Sequence, residues 1–130
     1  MANPNIVAVT TIYGNTTYYT PSGTSAVVLL PNAASSGKVY KINQIVVANT
    51  TGSAANATVS IYTNGAVAQG SAPSGGTAYP IVSAIPVPAN ASLIAVDKTT
   101  AIYLQEGTSI SITSGTGSAL AFSISYEDIS

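Results

Sequence analysis

The chain contains no histidine, no cysteine and no tryptophan, and its three basic residues include no arginine. Histidine and cysteine are the side chains that most often act as general base or soft nucleophile near neutral pH, so the common routes to acid–base and thiol catalysis are closed. The usual ligands of zinc and copper are missing for the same reason. Without cysteine there is no disulfide framework, and the redox compartment is not legible.

Charge is scarce too. Charged residues make up 5% of the 130 positions, where about 25% is usual. The cations are Lys38, Lys41 and Lys98, the anions Asp97, Glu106, Glu127 and Asp128, and the net charge is −1. Three scattered lysines form no basic stripe, so neither nucleic acid nor an anionic membrane is expected as a partner. No apolar run reaches the length of about 18 residues that spans a bilayer. Met1–Asn5 has neither the basic start nor the apolar stretch of a secretory leader.

What the chain does have is 46% hydrophobic residues, and Ser, Thr and Asn together make up roughly a third of it. That is enough for one packed domain without a metal or disulfide. A free monomer usually keeps a mixed, charged exterior, and a neutral Ser/Thr surface is better suited to being covered by other protein. The composition therefore predicts an obligate oligomer or an assembly component.

Strand-forming residues run from end to end, cut at intervals of about 8–12 residues by Gly, Pro, Asn and Ser. The pattern predicts strands over Ile6–Tyr13, turning at Gly14-Asn15 into Thr16–Thr20, then Ser25–Leu30, Lys38–Asn49, Ala57–Thr63 and Tyr79–Val87. Leu93–Val96, Ile102–Gln105, Thr108–Thr113 and Leu120–Tyr126 complete the set. Asn32–Gly37 is expected to make at most one helical turn. About nine or ten short strands with turn-sized links describe an all-β, two-sheet β-sandwich without substantial helix, with a jelly roll the preferred topology. Residues 1–130 form a single domain with a short N-terminal arm over residues 1–5 and a flexible Gly/Ser/Ala loop over 64–77, pointing outward. In Ala57–Thr63, Ala57, Val59 and Ile61 should face in, and Thr58, Ser60 and Tyr62 out. Simple alternation along Lys38–Asn49 puts Ile42 and Val46 on one face and Ile45 and Val47 on the other, predicting burial on both sides and a contact with another chain or loop.

The remaining candidates for chemistry are thin. A serine nucleophile needs a base, and the one Ser-x-x-Lys spacing, Ser35-Ser36-Gly37-Lys38, reads as a loop before a strand. Asp97-Lys98 and Glu106-Gly107 read as turns, and Glu127-Asp128 as a mobile chain end, so a positioned pair of carboxylates is not expected. No spaced acidic loop suits calcium. Neither Ser74–Thr77 nor Ser114–Ser118 leads from strand to helix with a lysine, as a phosphate loop does. Asn15, Asn49, Asn56 and Asn90 begin Asn-x-Ser/Thr sequons, which matter only in a eukaryotic secretory host. No catalytic residue, metal ligand or cofactor is assigned. Of the eight tyrosines, the adjacent Tyr18 and Tyr19 must point to opposite faces of a strand, so at least one faces solvent or a partner.

Met1-Ala2-Asn3-Pro4-Asn5-Ile6-Val7, NAASSGKVYKINQIVV from Asn32, VPANASLIAVDK from Val87, IYLQEGTSISITS from Ile102 and the closing SISYEDIS resemble a family of small virion structural proteins. These are encoded by tailed phages of marine bacteria, cyanobacteria in particular. The stretch from Asn64 to Thr77 is longer and richer in Gly and Ser than in that family, and charged positions are sparser. The resemblance implies a non-enzymatic component of a virus particle and carries over no catalytic or ligand residue.

Small size, the absence of fibre repeats and the neutral surface favour a capsid decoration (cement) protein. It would be made in the host cytoplasm and sit in the virion as a homo-oligomer, preferably a trimer, on the major capsid protein or another virion protein. Its expected interface residues are Ala2, Asn3, Pro4, Asn5, Ile6, Tyr18, Tyr19, Ile45 and Val47. The alternative is a carbohydrate-binding attachment module of a tail or fibre, built on Tyr18, Tyr19 or Tyr79.

Overall fold

In the computed structural model, which describes residues 4–130, strands form where Val, Ile, Tyr and Phe alternate with Ser and Thr. They are β1 (Ile12–Tyr19), β2 (Val27–Asn32), β3 (Val39–Asn49), β4 (Ala55–Tyr62), β5 (Ala78–Val87), β6 (Ser92–Val96), β7 (Ile102–Leu104), β8 (Thr108–Ser114) and β9 (Leu120–Ile129). The one helical element among the described residues is a single 3₁₀ turn, Lys98–Thr100. No helix there is long and apolar enough to cross a membrane.

Every pairing is antiparallel. The first sheet has the order β1-β9-β3-β6, with β7 beside β6 on the same edge of β3, and the second has the order β2-β8-β4-β5. The two pack face to face as an all-β sandwich. Ile42, Ile45, Phe122, Ile124 and Leu104 enter the core from the first sheet, and Leu29, Ile110, Ile112 and Val59 from the second.

One irregularity reverses an expectation about β3. Its register against β9 shifts between Ile42 and Gln44, leaving Asn43 as the extra residue of a bulge. An added residue inverts the inward–outward phase, so Ile42 on one side of the bulge and Ile45 and Val47 on the other all point into the same core. All three are 0% exposed. Val46 is left on the outward face with Lys41, and Ile45 and Val47 are core residues rather than interface residues.

Other boundaries move for local reasons. Gly14-Asn15 makes no turn, because β1 pairs without interruption from Ile12↔Ile129 to Tyr19↔Phe122. Ile6–Thr11 is not strand; the chain turns at Asn5, whose side chain accepts from the Val7 N–H and whose carbonyl accepts from the Ala8 N–H. Asn32 ends β2 and residues 33–37 turn without forming helix, with Ser35 at φ 64° and Gly37 at φ 71°. Glu127 and Asp128 are not a loose end: β9 runs to Ile129 in the interior of the first sheet, paired on both sides.

In β4 the alternation fails at Ser60 and Tyr62, which are buried although they face away from the core, as are Ser109 and Ser111 of β8. The 64–77 segment supplies their cover. It lies back against the second sheet instead of pointing outward. The Ser109 hydroxyl donates to the Asn64 carbonyl, and the Tyr62 hydroxyl donates to the Gly76 carbonyl while accepting from the Gly76 N–H. At the β2 edge, Val28 N–H donates to the Ser71 carbonyl and Gly70 N–H to the Val28 carbonyl. Gln69 adds bonds from its amide to the Leu29 carbonyl and the Thr17 hydroxyl.

The segment lies so close that a Cβ on Gly65 would stand 2.0 Å from the Asn32 carbonyl oxygen and 2.6 Å from that of Thr108. Gly65→Ala is therefore expected to lift the segment off, at a cost of about 1–3 kcal/mol. The check is denaturant unfolding together with faster amide exchange at Gly70.

Candidate interaction surface

The outward face of the first sheet takes its side chains from alternate positions of five strands. Register places Ile12, Thr16 and Tyr18 of β1 beside Ile129, Ser125 and Ser123 of β9, and Ile94 of β6 beside Val46 of β3. Tyr103 of β7 pairs with Lys41 of β3, which pairs with Glu127 of β9. Four large apolar side chains of this face stand open: Ile12 at 55%, Tyr18 at 74%, Ile94 at 58% and Tyr103 at 52% exposure. One lysine and one glutamate are its charges among these paired positions, and Thr16 and Ser125 share a hydroxyl hydrogen bond of 3.0 Å across β1 and β9. The result is a broad, nearly neutral sheet surface carrying apolar side chains.

The expected interface residues divide unequally. Tyr18 lies on this face, whereas Tyr19 points inward, packs against the core and lays its ring on Gly70. Ile45 and Val47 are internal, as the β3 bulge requires. Pro4 is half-buried, while Asn5 and Ile6 are exposed on the turn before β1. Ala2 and Asn3 lie outside the described residues. Ile12, Ile94 and Tyr103 were not singled out from the sequence. Leu93–Val96 and Ile102–Leu104 are unbroken apolar runs that carry no alternation signal for the last two, and the misplaced first strand hid Ile12.

The ionisable groups hold the fold together. Asp97 caps the 3₁₀ turn, accepting from the Thr99 and Thr100 N–H groups and the Thr99 hydroxyl. These bonds, led by the Thr99 hydroxyl, hold its carboxyl below the ordinary value. A Glu106 carboxylate oxygen accepts from the Gly37 N–H at 2.7 Å, and Glu127 accepts from the Asn43 amide at 3.0 Å. Asp128 pairs with Lys38 at 3.0 Å. Beside that pair, the Tyr40 and Tyr126 rings meet with centroids 5.0 Å apart and planes tilted by 54°. All four carboxylates are thus engaged in structural bonds. The described residues enclose no cavity and gather no group of His, Cys, Asp or Glu that could hold a metal.

The Lys38–Asp128 end sets an alkaline limit. The hydrogen bond to Asp128 raises the Lys38 pKa above 10.5, and burial raises those of Tyr40 and Tyr126 above 10.0. At all three the folded chain holds its proton more tightly than the unfolded chain. Their contribution is therefore complete below about pH 10 and is lost as pH rises through the higher folded values. With no histidine or cysteine to titrate between about pH 6 and 9, Tm is expected to be flat there and to fall above about pH 10. Tyr40→Phe should blunt the alkaline fall in thermal scans.

No family, curated protein or solved structure matches this chain.

Proposed function

We propose that the chain is a non-enzymatic structural protein of a virus particle, a decoration protein that stabilises a phage head by docking on the major capsid protein. The observation that carries this reading is the outward face of the first sheet, where Ile12, Tyr18, Ile94 and Tyr103 are exposed amid Ser and Thr. Large exposed apolar side chains at both edges of a face with little charge suit a surface that is covered by other protein.

Strand order adds support. Counting β6 and β7 as one interrupted strand gives eight strands in two sheets of four, ordered 1-8-3-6 and 2-7-4-5. That order is consistent with a jelly roll, an architecture shared by viral capsid and lectin domains. Because fold alone does not fix function, the reading leans on the sequence resemblance and the neutral face, which favour the capsid use. The exposed Tyr18 ring favours the second reading, a carbohydrate-binding attachment module.

Quantitative mass spectrometry and antibody labelling of purified particles test the assignment. Many copies per particle, distributed over the head, are expected. Absence from particles overturns it, and glycan binding lost in Tyr18→Ala would transfer the face to the second reading.

A further inference from the structure

Three of the four sheet edges are blunted. The β2 edge is occupied by Gly70 and Ser71, and Gln69 bonds the next carbonyl along it. β5 carries Pro80 and Pro86, is bulged twice against β4 and has Ala84 at φ 49°. The edge beyond β3 is split into the five residues of β6 and the three of β7, with the 3₁₀ turn between them. Such devices prevent strand-to-strand pairing between molecules.

The fourth edge has none of them. β1, Ile-Tyr-Gly-Asn-Thr-Thr-Tyr-Tyr, has no proline, no charge and no bulge over its 8 residues. Thr11 and Ser130 exchange both backbone hydrogen bonds, which fixes the phase of the β1–β9 ladder. Residues 13, 15, 17 and 19 then bond β9, and the N–H and C=O groups of Ile12, Gly14, Thr16 and Tyr18 point away from it. Among the described residues no backbone group bonds to that edge.

From this geometry we infer that β1 pairs antiparallel with β1 of a second copy about a two-fold axis through Asn15. The two first sheets become one continuous sheet. Two conditions restrict the axis to a residue position of β1, and pairing all four edge-facing residues, Ile12, Gly14, Thr16 and Tyr18, places it at Asn15. A two-fold axis normal to the sheet keeps each side chain on its own face, and hydrogen-bonded pairs must come from the outward-pointing groups. With Asn15 on the axis, Ile12 bonds opposite Tyr18 of the second copy and Gly14 opposite Thr16, each on the outward face.

Ile12 and Tyr18 are two of the large exposed side chains, and an aromatic beside a β-branched residue is a favourable cross-strand pair. No charge on β1 opposes self-pairing. A two-fold contact closes on itself, so it makes a dimer rather than the trimer expected from the sequence. The inference goes beyond the particle assignment and does not depend on it.

Cysteine placement tests the register directly, because the chain has no cysteine of its own. Asn15 partners are directly opposed, with Cα atoms about 4.5 Å apart in a non-hydrogen-bonded pair, inside the range of roughly 4.4–6.8 Å that a disulfide spans. Under mild oxidation Asn15→Cys should form a covalent dimer. Tyr13→Cys and Thr17→Cys should each stay uncrosslinked alone and crosslink when mixed. In sedimentation the wild type should be dimeric, and Asn15→Lys, which sets two like charges face to face, should be monomeric. A monomeric or trimeric wild type overturns the inference. So does preferential self-crosslinking of Gly14→Cys or Thr16→Cys, which would put the axis elsewhere. Each of these outcomes is independent of whether the protein is found on particles.

Discussion

Ile45→Ala is expected to destabilise the isolated domain by about 2–5 kcal/mol, the cost of a cavity in a packed core. Tyr18→Ala should change stability by no more than about 0.5 kcal/mol, as exposed substitutions usually do. Both residues are expected interface residues on sequence alone. The structure separates them, because the bulge at Asn43 turns Ile45 into the core beside Ile124 while Tyr18 stands 74% exposed. In thermal scans of dilute protein the Ile45 variant should melt roughly 10–20 °C lower, with Tyr18→Ala at the wild-type Tm. The reverse ordering would mean that the bulge is misplaced and that Ile45 faces out.

The second large effect concerns two buried asparagines that tie the sheets together at opposite ends of β3. Asn32, at the end of β2, donates its side-chain amide to the carbonyls of Lys38 and of Leu104 in β7, both at 3.0 Å, and accepts from the Ser36 hydroxyl at 2.6 Å. Asn49, at the end of β3, donates to the carbonyls of Ser53 at 2.7 Å and of Val87 in β5 at 3.0 Å. Its side-chain oxygen accepts from the N–H and hydroxyl of Thr51. Each amide thus crosses from its own sheet to the other with both donors used.

Alanine removes both amide donors at either position, from the Lys38 and Leu104 carbonyls or from the Val87 and Ser53 carbonyls, of which Ser53 keeps the Thr51 hydroxyl, at a cost of about 2–4 kcal/mol. Asn32→Asp should cost more than Asn32→Ala, because a carboxylate only accepts and would face two carbonyl oxygens. The two sites share no partner, so their costs should add in urea titrations. Asn49 also heads a sequon, yet its amide nitrogen is held by Ser53 and Val87, and glycosylation there would break the tie.

Much of the fold was legible because strand signals were dense and helix signals absent. Leu120–Tyr126 alternates plainly in the sequence, and Leu120, Phe122 and Ile124 lie in the core. Misreadings came from features that alternation cannot carry. A bulge inserts one residue and inverts the phase, and nothing in Lys41-Ile42-Asn43-Gln44 announces it. Gly14-Asn15 has turn chemistry, but pairing with β9 outweighed local preference. The 64–77 segment looked like a free loop by composition, whereas its glycines allow the close approach that buries Ser109 and Ser111.

For the candidate surface, Tyr18 was found from the simple rule that neighbours in a strand face opposite ways. Ile12 was lost with the boundary of β1. The structural asparagines were invisible, since nothing in the sequence distinguishes Asn32 and Asn49 from the exposed Asn56.

On the proposed reading this protein acts by covering and being covered, through the outward face of its first sheet. A density map of the purified particle tests it most directly. The account predicts copies on the head with Tyr18, Ile94 and Tyr103 buried against neighbouring protein. A map in which that face is open to solvent while other surfaces make the contacts, or in which the protein is absent, would contradict it.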